Sequence, residues 1–249
     1  GPGRVRRNMR RAKSVVVHTE YGKSRLLHHF PDFSERRVAV ISLGVDCERF
    51  RVRDPEKSAA FATSLGLNPL FLLQVGSWFP HKNLELSIRA FARSAARGQG
   101  FQLAFVGGNA PPAYAASLRE LAASEGVADS IQWLENVSSG EIPQIFSAAS
   151  ALLQPSLYEG FGLPVLEAMA AGTPGVVADA SCLPEVAGDA WPSAPPDDAD
   201  AFADAIDQVA LGGAARERAI ALGLNRAQEF SWRRTAEATA AFLRRSGEA

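Results

Sequence analysis

Short apolar runs alternate with amphipathic stretches through the middle of this chain, and no other feature restricts its fold so strongly. Apolar runs bounded by turn residues predict buried strands, and apolar residues at helical spacing predict the helices between them. Strands are predicted at residues 70–75, 103–106, 131–134, 151–154 and 175–178. Helices are predicted at residues 84–98, after Asn83 as the N-cap, and at 114–124, 142–149, 165–171, 199–211, 214–230 and 233–245.

This order of elements predicts an α/β fold. Parallel strands need crossover connections, and these are right-handed in nearly all known cases. We therefore expect a Rossmann-like, doubly wound parallel sheet with helices on both faces. In such sheets the ligand lies outside the carboxyl ends of the strands. The loops after Val75, Val106, Gln154 and Ala178 are accordingly the first places to look for a site.

The first 45 residues fit this pattern less clearly. Residues 1–3 resemble the scar of a removed tag, and residues 4–13 are rich in arginine and lysine. We interpret this basic segment as a solvated surface, as a helix that packs against an absent domain, or as a contact with anionic lipid headgroups. The strand-like residues 14–17 and 38–41 flank a predicted helix at 22–29. Residues 14–249 are predicted to form one domain, and residues 14–45 either complete its sheet or end a preceding domain.

Charge and cysteine content exclude several classes of protein. The formal net charge of -1 gives no reason to expect nucleic acid as a partner. No apolar run approaches the roughly 18 residues of a membrane-spanning helix, and no secretory signal opens the chain. Cys47 and Cys182 lack the spacing of a disulfide framework or a metal site. We therefore expect a cytoplasmic protein without a metal, in which Asp198 and Asp200 mark a helix start rather than a metal site.

Residues 159–174 carry the most specific pattern in the chain. A predicted strand precedes them, and Pro164 suits the first turn of a helix that Gly172 and Pro174 end. Glycine lets the backbone pass close to a ligand. The N–H groups of Gly162 and Leu163 have no partner within such a helix and face an anion favourably. A diphosphate fits this position.

Two carboxylates accompany this predicted anion site. Glu159 lies in the loop before the helix, and Glu167 lies about one turn inside it. Ionised carboxylates accept hydrogen bonds from hydroxyl groups, so the pair favours a ligand with a ribose and a second sugar. The alternatives are a solvated loop charge for Glu159 and an acid that complements the helix dipole for Glu167.

Here the chain resembles the large retaining glycosyltransferase family 4, whose fold is called GT-B. The resemblance rests on the Glu-x7-Glu pattern within EGFGLPVLEAMAAGTPGVVA (residues 159–178) and covers about residues 14–243. Further motifs occur in the family's order: LGVD at 43–46, VG at 75–76 with KN at 82–83, FVGG at 105–108 and FSW at 230–232. The chain is similar to the C-terminal, donor-binding half of the GT-B fold.

The resemblance implies roles for individual residues. Glu159 contacts donor-sugar hydroxyls, Glu167 holds the ribose, and Lys82 neutralises the diphosphate and the charge that grows on the leaving group. The other implied donor-binding residues are Gly76, Ser77, Val137, Gly160, Phe161, Gly162 and Leu163. Many family members carry an arginine where this chain has Ser77. Lys82 then acts with backbone N–H groups alone, or another basic residue reaches in. His81 is either a surface contact of the site or an ordinary loop histidine.

The implied function is donor binding within a retaining glycosyltransferase. Its partners are a nucleotide-diphosphate sugar, the absent N-terminal acceptor domain and a glycan or lipid-linked acceptor. No cofactor is implied, and contact with the inner face of the membrane stays open. The main alternative is a non-catalytic module that binds nucleotide sugar or another protein. A Rossmann oxidoreductase is disfavoured because the third glycine of its motif is absent, and no P-loop pattern occurs.

Overall fold

The computed structural model describes residues 2–51 and 54–247, without the side chains of residues 2–4, 6, 10, 246 and 247. The strands are β1 (Val15–Val17), β2 (Val38–Val40), β3 (Phe71–Ser77), β4 (Gln102–Gly108), β5 (Ile131–Glu135), β6 (Ala151–Gln154), β7 (Gly175–Ala178) and β8 (Ser193–Ala194). The first six helices are α1 (Pro2–Arg11), α2 (Glu20–His29), α3 (Pro55–Ser64), α4 (Leu84–Arg93), α5 (Ala95–Gly98) and α6 (Pro112–Ser124). The others are α7 (Ile142–Ala148), α8 (Leu163–Ala170), α9 (Leu183–Ala187), α10 (Ala199–Ala210), α11 (Ala214–Gln228) and α12 (Trp232–Gly247).

The chain forms two compact units. The first contains residues 1–44 and 230–249, and the second contains residues 45–229. In the first unit, β1 and β2 pair in parallel as a two-stranded sheet of their own. The alternative that these strands complete the edge of the larger sheet is therefore wrong. The helix α12 belongs to the same unit, where Thr235 Oγ1 donates to the Ser42 carbonyl at 2.8 Å.

The second unit contains a six-stranded sheet in the order β5-β4-β3-β6-β7-β8. All of its strand pairs are parallel, which confirms the predicted doubly wound architecture. Chain order reverses between β3 and β6, because β3 leads outward to β4 and β5 whereas β6 leads outward to β7 and β8. Such a reversal is a topological switch point, where loops diverge at the carboxyl edge and leave a crevice.

The central strands are buried, as a parallel sheet covered on both faces requires. Leu72, Leu73, Leu152 and Leu153 are fully buried. Close packing also explains a glycine in β4: Gly107 has a φ of 151°, and a Cβ there would lie 1.9 Å from the Gly76 carbonyl oxygen. The sheet thus brings the ends of β3 and β4 together where a side chain would not fit.

Two local predictions around α4 need correction. Asn83 precedes the helix as expected, but it takes the left-handed conformation (φ 53°) and its side chain caps no helix amide. The helix also ends at Arg93 rather than at Gly98. A new turn starts at Ser94, because Asp207 of α10 accepts hydrogen bonds from the Ser94 hydroxyl and from the amides that follow it. A side chain distant in sequence therefore divides the predicted helix.

Residues 4–11 of the basic segment belong to α1 and Lys13 follows that helix, but the side chains of Arg4, Arg6 and Arg10 lie outside the described residues. Their proposed contact with lipid headgroups therefore stays a prediction. None of the helices in the described part of the chain has both the length and the apolar character needed to cross a bilayer.

Candidate functional site

The two loops of the switch point meet through an ion pair. Lys82 follows β3, Glu159 follows β6, and Lys82 Nζ lies 2.7 Å from Glu159 Oε1. The two side chains are 16% and 11% exposed. An ammonium group and a carboxylate are therefore held together, largely out of solvent, at the carboxyl edge of the sheet. The prediction that these two loops share a site agrees with this geometry.

Lys82 is held by its neighbours on the sheet. Gln74, which is buried in β3, donates from Nε2 to the Lys82 carbonyl at 2.9 Å. The Ser87 hydroxyl donates to Gln74 Oε1 at 2.7 Å, so the amide is fixed from α4. Gly76 has a φ of 137°, and a Cβ built there would lie 3.9 Å from Lys82 Cε. The backbone before the loop thus passes close beneath the lysine side chain.

Glu159 is held at its side chain and at its backbone. Gln154 Nε2 donates to Glu159 Oε1 at 2.6 Å, so this oxygen accepts from both Gln154 and Lys82. The Ser181 hydroxyl accepts from the Glu159 amide at 3.1 Å and donates to its carbonyl at 3.0 Å. Cys182 adds a contact from Sγ to the same carbonyl at 3.4 Å. The position of Glu159 is therefore determined by several groups rather than by one.

The residues predicted to bind an anion lie at the start of α8. Gly162 is the N-cap residue with a φ of 93°, and the helix begins at Leu163 with Pro164 in its first turn. The amides of Gly162 and Leu163 donate no hydrogen bond to any described residue. Phe161 is buried, and a Cβ added to Gly160 would meet nothing within 4 Å. Two amides without a partner among the described residues therefore come three and four residues after Glu159.

The helix α8 ends as predicted. It stops at Ala170, and Gly172 takes the left-handed conformation with a φ of 73°. The Thr173 amide donates to the Ala168 carbonyl at 2.9 Å, which satisfies a carbonyl that the helix leaves free. The helix is thereby fixed at the end opposite the site.

Glu167 lies within α8 in a different environment. Burial raises the pKa of its carboxyl group, and the positive charge of Arg49 acts in the opposite direction. The hydrogen-bond network of Lys82 and Glu159 does not extend to Glu167 among the described residues. The structure therefore brings Lys82 and Glu159 into contact, whereas Glu167 stands apart from them.

The loop that lacks the expected arginine is built from aromatic residues. Ser77 ends β3, and the indole of Trp78 is buried against that of Trp133, with ring centroids 5.2 Å apart. Phe79 and His81 are exposed, and their rings stack at 6.2 Å. The His81 carbonyl accepts from the Leu157 amide at 2.8 Å, which links this loop to the loop after β6.

The predicted nucleobase loop follows β5. Asn136 is left-handed, Val137 is half-buried, and Ser138 donates from its amide and hydroxyl to Glu141 Oε2 at 3.0 Å and 2.6 Å. Arg49 donates to the Ser139 carbonyl. Arg49 thus links this loop to the surroundings of Glu167.

Sequence reasoning missed Gln74, Gln154 and Arg49. Each glutamine falls within a strand that is predicted from its apolar residues. Buried glutamine is uncommon, so a polar amide inside a predicted core strand was the available signal. Arg49 has no comparable signal, because it lies on an exposed stretch before α3.

Comparison with known proteins decides the family. The sequence profile described as "Glycosyl transferases group 1" matches residues 57–245. The chain belongs to this family. A D-inositol 3-phosphate glycosyltransferase of Saccharomonospora viridis is 32% identical over 237 residues, which cover 91% of this chain and 54% of that protein. The O-antigen chain mannosyltransferase B of Escherichia coli is 45% identical over 102 residues, or 41% of this chain and 27% of that protein.

Comparison with solved structures supports the fold. Anabaena Alr3699/HepE, crystallised in complex with UDP and glucose, superposes with a TM-score of 0.81 at 19% identity. The match covers 93% of this chain and 63% of that one. The chain spans about half the length, or less, of the curated relatives it matches. The expected GT-B relationship is therefore confirmed at the level of the fold.

Proposed function

We propose that this chain is the donor-binding region of a retaining, family 4-like glycosyltransferase. The full enzyme would transfer a hexose or deoxyhexose from a nucleotide-diphosphate sugar to a glycan or lipid-linked acceptor. The observation that carries this proposal is the contact between Lys82 Nζ and Glu159 Oε1 at the switch point of the sheet. The free amides of Gly162 and Leu163 follow Glu159 in the chain by three and four residues, at the start of α8.

Each group has a defined part in this proposal. The ammonium group of Lys82 has three donors, so it can keep its contact with Glu159 and still bind a phosphate oxygen. Together with the amides at the start of α8, it stabilises the negative charge that develops on the diphosphate as the sugar–oxygen bond breaks. Glu159 accepts hydrogen bonds from sugar hydroxyls, and Glu167 accepts them from the ribose. The proposal assigns charge compensation to these groups and includes no metal ion or organic cofactor.

Three comparisons support the proposal. Alr3699/HepE was crystallised with UDP and glucose. The relative from Escherichia coli is named a mannosyltransferase of the O-antigen chain. The matches cover 54% and 50% of two relatives, which leaves room for an acceptor-binding half. We further propose that the enzyme works in the cytoplasm, with peripheral contact at the inner face of the membrane.

Calorimetric titration with UDP-glucose, GDP-mannose and dTDP-glucose tests donor binding and identifies the base. We expect one of these nucleotide sugars to bind. The variant Lys82→Ala should weaken that binding by roughly 100-fold, because it removes a charge-assisted contact. Glu167→Ala should weaken it by about 10-fold, because the ribose loses an acceptor.

Matched controls separate these effects from general damage. Lys57 of α3 and Glu120 of α6 are exposed and lie outside the loops that hold Lys82 and Glu159, so Lys57→Ala and Glu120→Ala should leave binding unchanged. A module that binds only another protein would bind none of the three donors. Its binding to that protein would not change in Lys82→Ala or Glu167→Ala. We also expect this chain alone to transfer sugar poorly, and transfer at ordinary enzymatic rates would contradict that expectation.

A further inference from the structure

A buried glutamine stands at the end of the strand that leads into the site. Gln154 is the last residue of β6 and is 1% exposed. Its Nε2 donates to Glu159 Oε1 at 2.6 Å and also lies 3.1 Å from the Ser156 hydroxyl oxygen. Since the same Oε1 accepts from Lys82 Nζ, two donors hold one oxygen of the carboxylate. The other oxygen, Oε2, accepts no hydrogen bond from the described residues and stays available to a ligand.

Packing alone does not explain an amide at this position. The preceding residues of β6, Leu152 and Leu153, are fully buried and apolar. Among the described residues, no group donates to Gln154 Oε1, which is itself inaccessible to solvent. A buried polar atom without a partner lowers stability, and an apolar side chain of similar size would avoid that cost. The useful part of this side chain is therefore its Nε2 donor, which faces Glu159.

We propose that Gln154 is a positioning residue that orients the Glu159 carboxylate so that Oε2 accepts hydrogen bonds from hydroxyl groups of the donor sugar. This inference rests on the donor-binding function proposed above. Gln154 is thereby assigned to recognition of the sugar rather than of the nucleoside diphosphate, because Glu159 is its one charged hydrogen-bond partner among the described residues. The second buried glutamine, Gln74 on the neighbouring strand β3, has a different partner, the backbone carbonyl of Lys82.

The test compares two ligands on two variants. Gln154→Met keeps the size of the side chain and removes the donor. Gln102→Met makes the same change at a buried glutamine of β4, whose Oε1 accepts from the Asn68 amide at 2.7 Å. Each protein is titrated with UDP-glucose, GDP-mannose and dTDP-glucose, and with UDP, GDP and dTDP.

We expect Gln154→Met to weaken binding of the nucleotide sugar about 10-fold, the effect of one hydrogen bond to a charged group. Binding of the matching nucleoside diphosphate should change less than about 2-fold, and Gln102→Met should change neither. If Gln154→Met behaves like Gln102→Met, or weakens both ligands equally, the positioning role is wrong while donor binding stands. If the unaltered chain binds none of the nucleotide sugars, the proposed function itself is wrong.

A second variant covers the case in which Gln154→Met does not fold. Gln154→Asn retains a buried amide but shortens the side chain by one methylene group, which withdraws Nε2 from Glu159. It should show the same selective loss of sugar affinity. Unchanged affinity for the nucleotide sugar in a folded Gln154→Asn variant would overturn the proposal.

Discussion

The surroundings of Glu159 and of Glu167 differ sharply, although both residues belong to one sequence motif. Around Glu159, the chain supplies an ammonium group at 2.7 Å and an amide donor at 2.6 Å. Around Glu167, burial raises the pKa of the carboxyl group, and no ion pair of the described residues includes it. One oxygen of the Glu159 carboxylate is satisfied within the protein, whereas the Glu167 carboxylate is desolvated with little compensation.

The two carboxylates therefore differ in how the free protein prepares them for a ligand. At Glu159 the geometry is fixed before a ligand arrives, so binding requires little further ordering of that side chain. At Glu167 the charged form is disfavoured in the free protein, so a donor such as a ribose hydroxyl relieves part of that cost. The two regions should therefore respond to substitution with opposite signs of stability change.

The largest effect is expected at the satisfied carboxylate. Glu159→Ala leaves the half-buried ammonium of Lys82 and the amide of Gln154 without their shared acceptor. We expect the free energy of unfolding to fall by about 2 kcal/mol, below the cost for a fully buried pair because both side chains keep some exposure. Urea denaturation measures the change.

An exposed ion pair provides the control for this prediction. Arg233 and Glu237 lie 2.8 Å apart on α12, and their side chains are 86% and 62% exposed. Glu237→Ala should leave the free energy of unfolding almost unchanged, because solvent screens such pairs. Equal losses of unfolding free energy in Glu159→Ala and Glu237→Ala would show that burial does not strengthen the contribution of the Lys82–Glu159 pair to stability.

A smaller effect of opposite sign is expected at Glu167. Glu167→Gln removes a charge that burial disfavours, so at pH 7 it should raise the free energy of unfolding by about 0.5–1 kcal/mol. The raised pKa means that the folded state binds this proton more tightly than the unfolded state. The cost of the wild-type charge is thus present at neutral pH and declines as the pH falls through the raised pKa.

Urea denaturation at neutral pH and near pH 4 checks this sign. The advantage of Glu167→Gln over the wild-type chain should shrink toward the lower pH, where Glu167 takes up its proton. Glu120→Gln, an exposed glutamate of α6, should show no such advantage. A loss of stability in Glu167→Gln at neutral pH would mean that the charge has a partner that stabilises it.

The smallest stability effect is expected beside Glu159, at Gly160. A Cβ there meets nothing within 4 Å, so Gly160→Ala should change the free energy of unfolding by less than about 0.5 kcal/mol. Gly107→Ala is the contrasting variant, because its Cβ would lie 1.9 Å from the Gly76 carbonyl oxygen. This substitution should unfold the protein readily.

Gly160→Ala should also affect donor binding. We expect it to weaken binding at least about 5-fold, as measured by calorimetry, if the open space at Gly160 is reserved for the ligand. Unchanged affinity for the donor would show that donor binding does not require a glycine at position 160.

The regular part of the fold could be predicted because its signals are local. The strands at 151–154 and 175–178 have the predicted bounds, since buried parallel strands appear in sequence as uninterrupted apolar runs. The caps of α8 also follow from neighbouring residues, with Pro164 in the first turn and Gly172 beyond the last. Lys82 and Glu159 could be placed at one edge because carboxyl ends of parallel strands share it.

The missed features depend on partners distant in sequence. The Asn83 side chain donates to the carbonyls of Pro155 at 3.1 Å and Pro196 at 2.8 Å instead of capping α4. The contact between Thr235 and Ser42 joins residues 193 positions apart, so nothing local indicates that α12 belongs with the first 44 residues. The partner of the Gln154 amide, Glu159, is only five residues away in sequence, but the two meet only once the loop after β6 has folded back over the strand.

A crystal structure of this chain with the nucleotide sugar that binds it would show where the diphosphate lies. We expect the diphosphate at the Gly162 and Leu163 amides, with Lys82 Nζ within about 3 Å of a phosphate oxygen. We also expect a sugar hydroxyl on Glu159 and the ribose on Glu167. A diphosphate bound elsewhere on the chain, with the start of α8 unoccupied, would refute this assignment of the site.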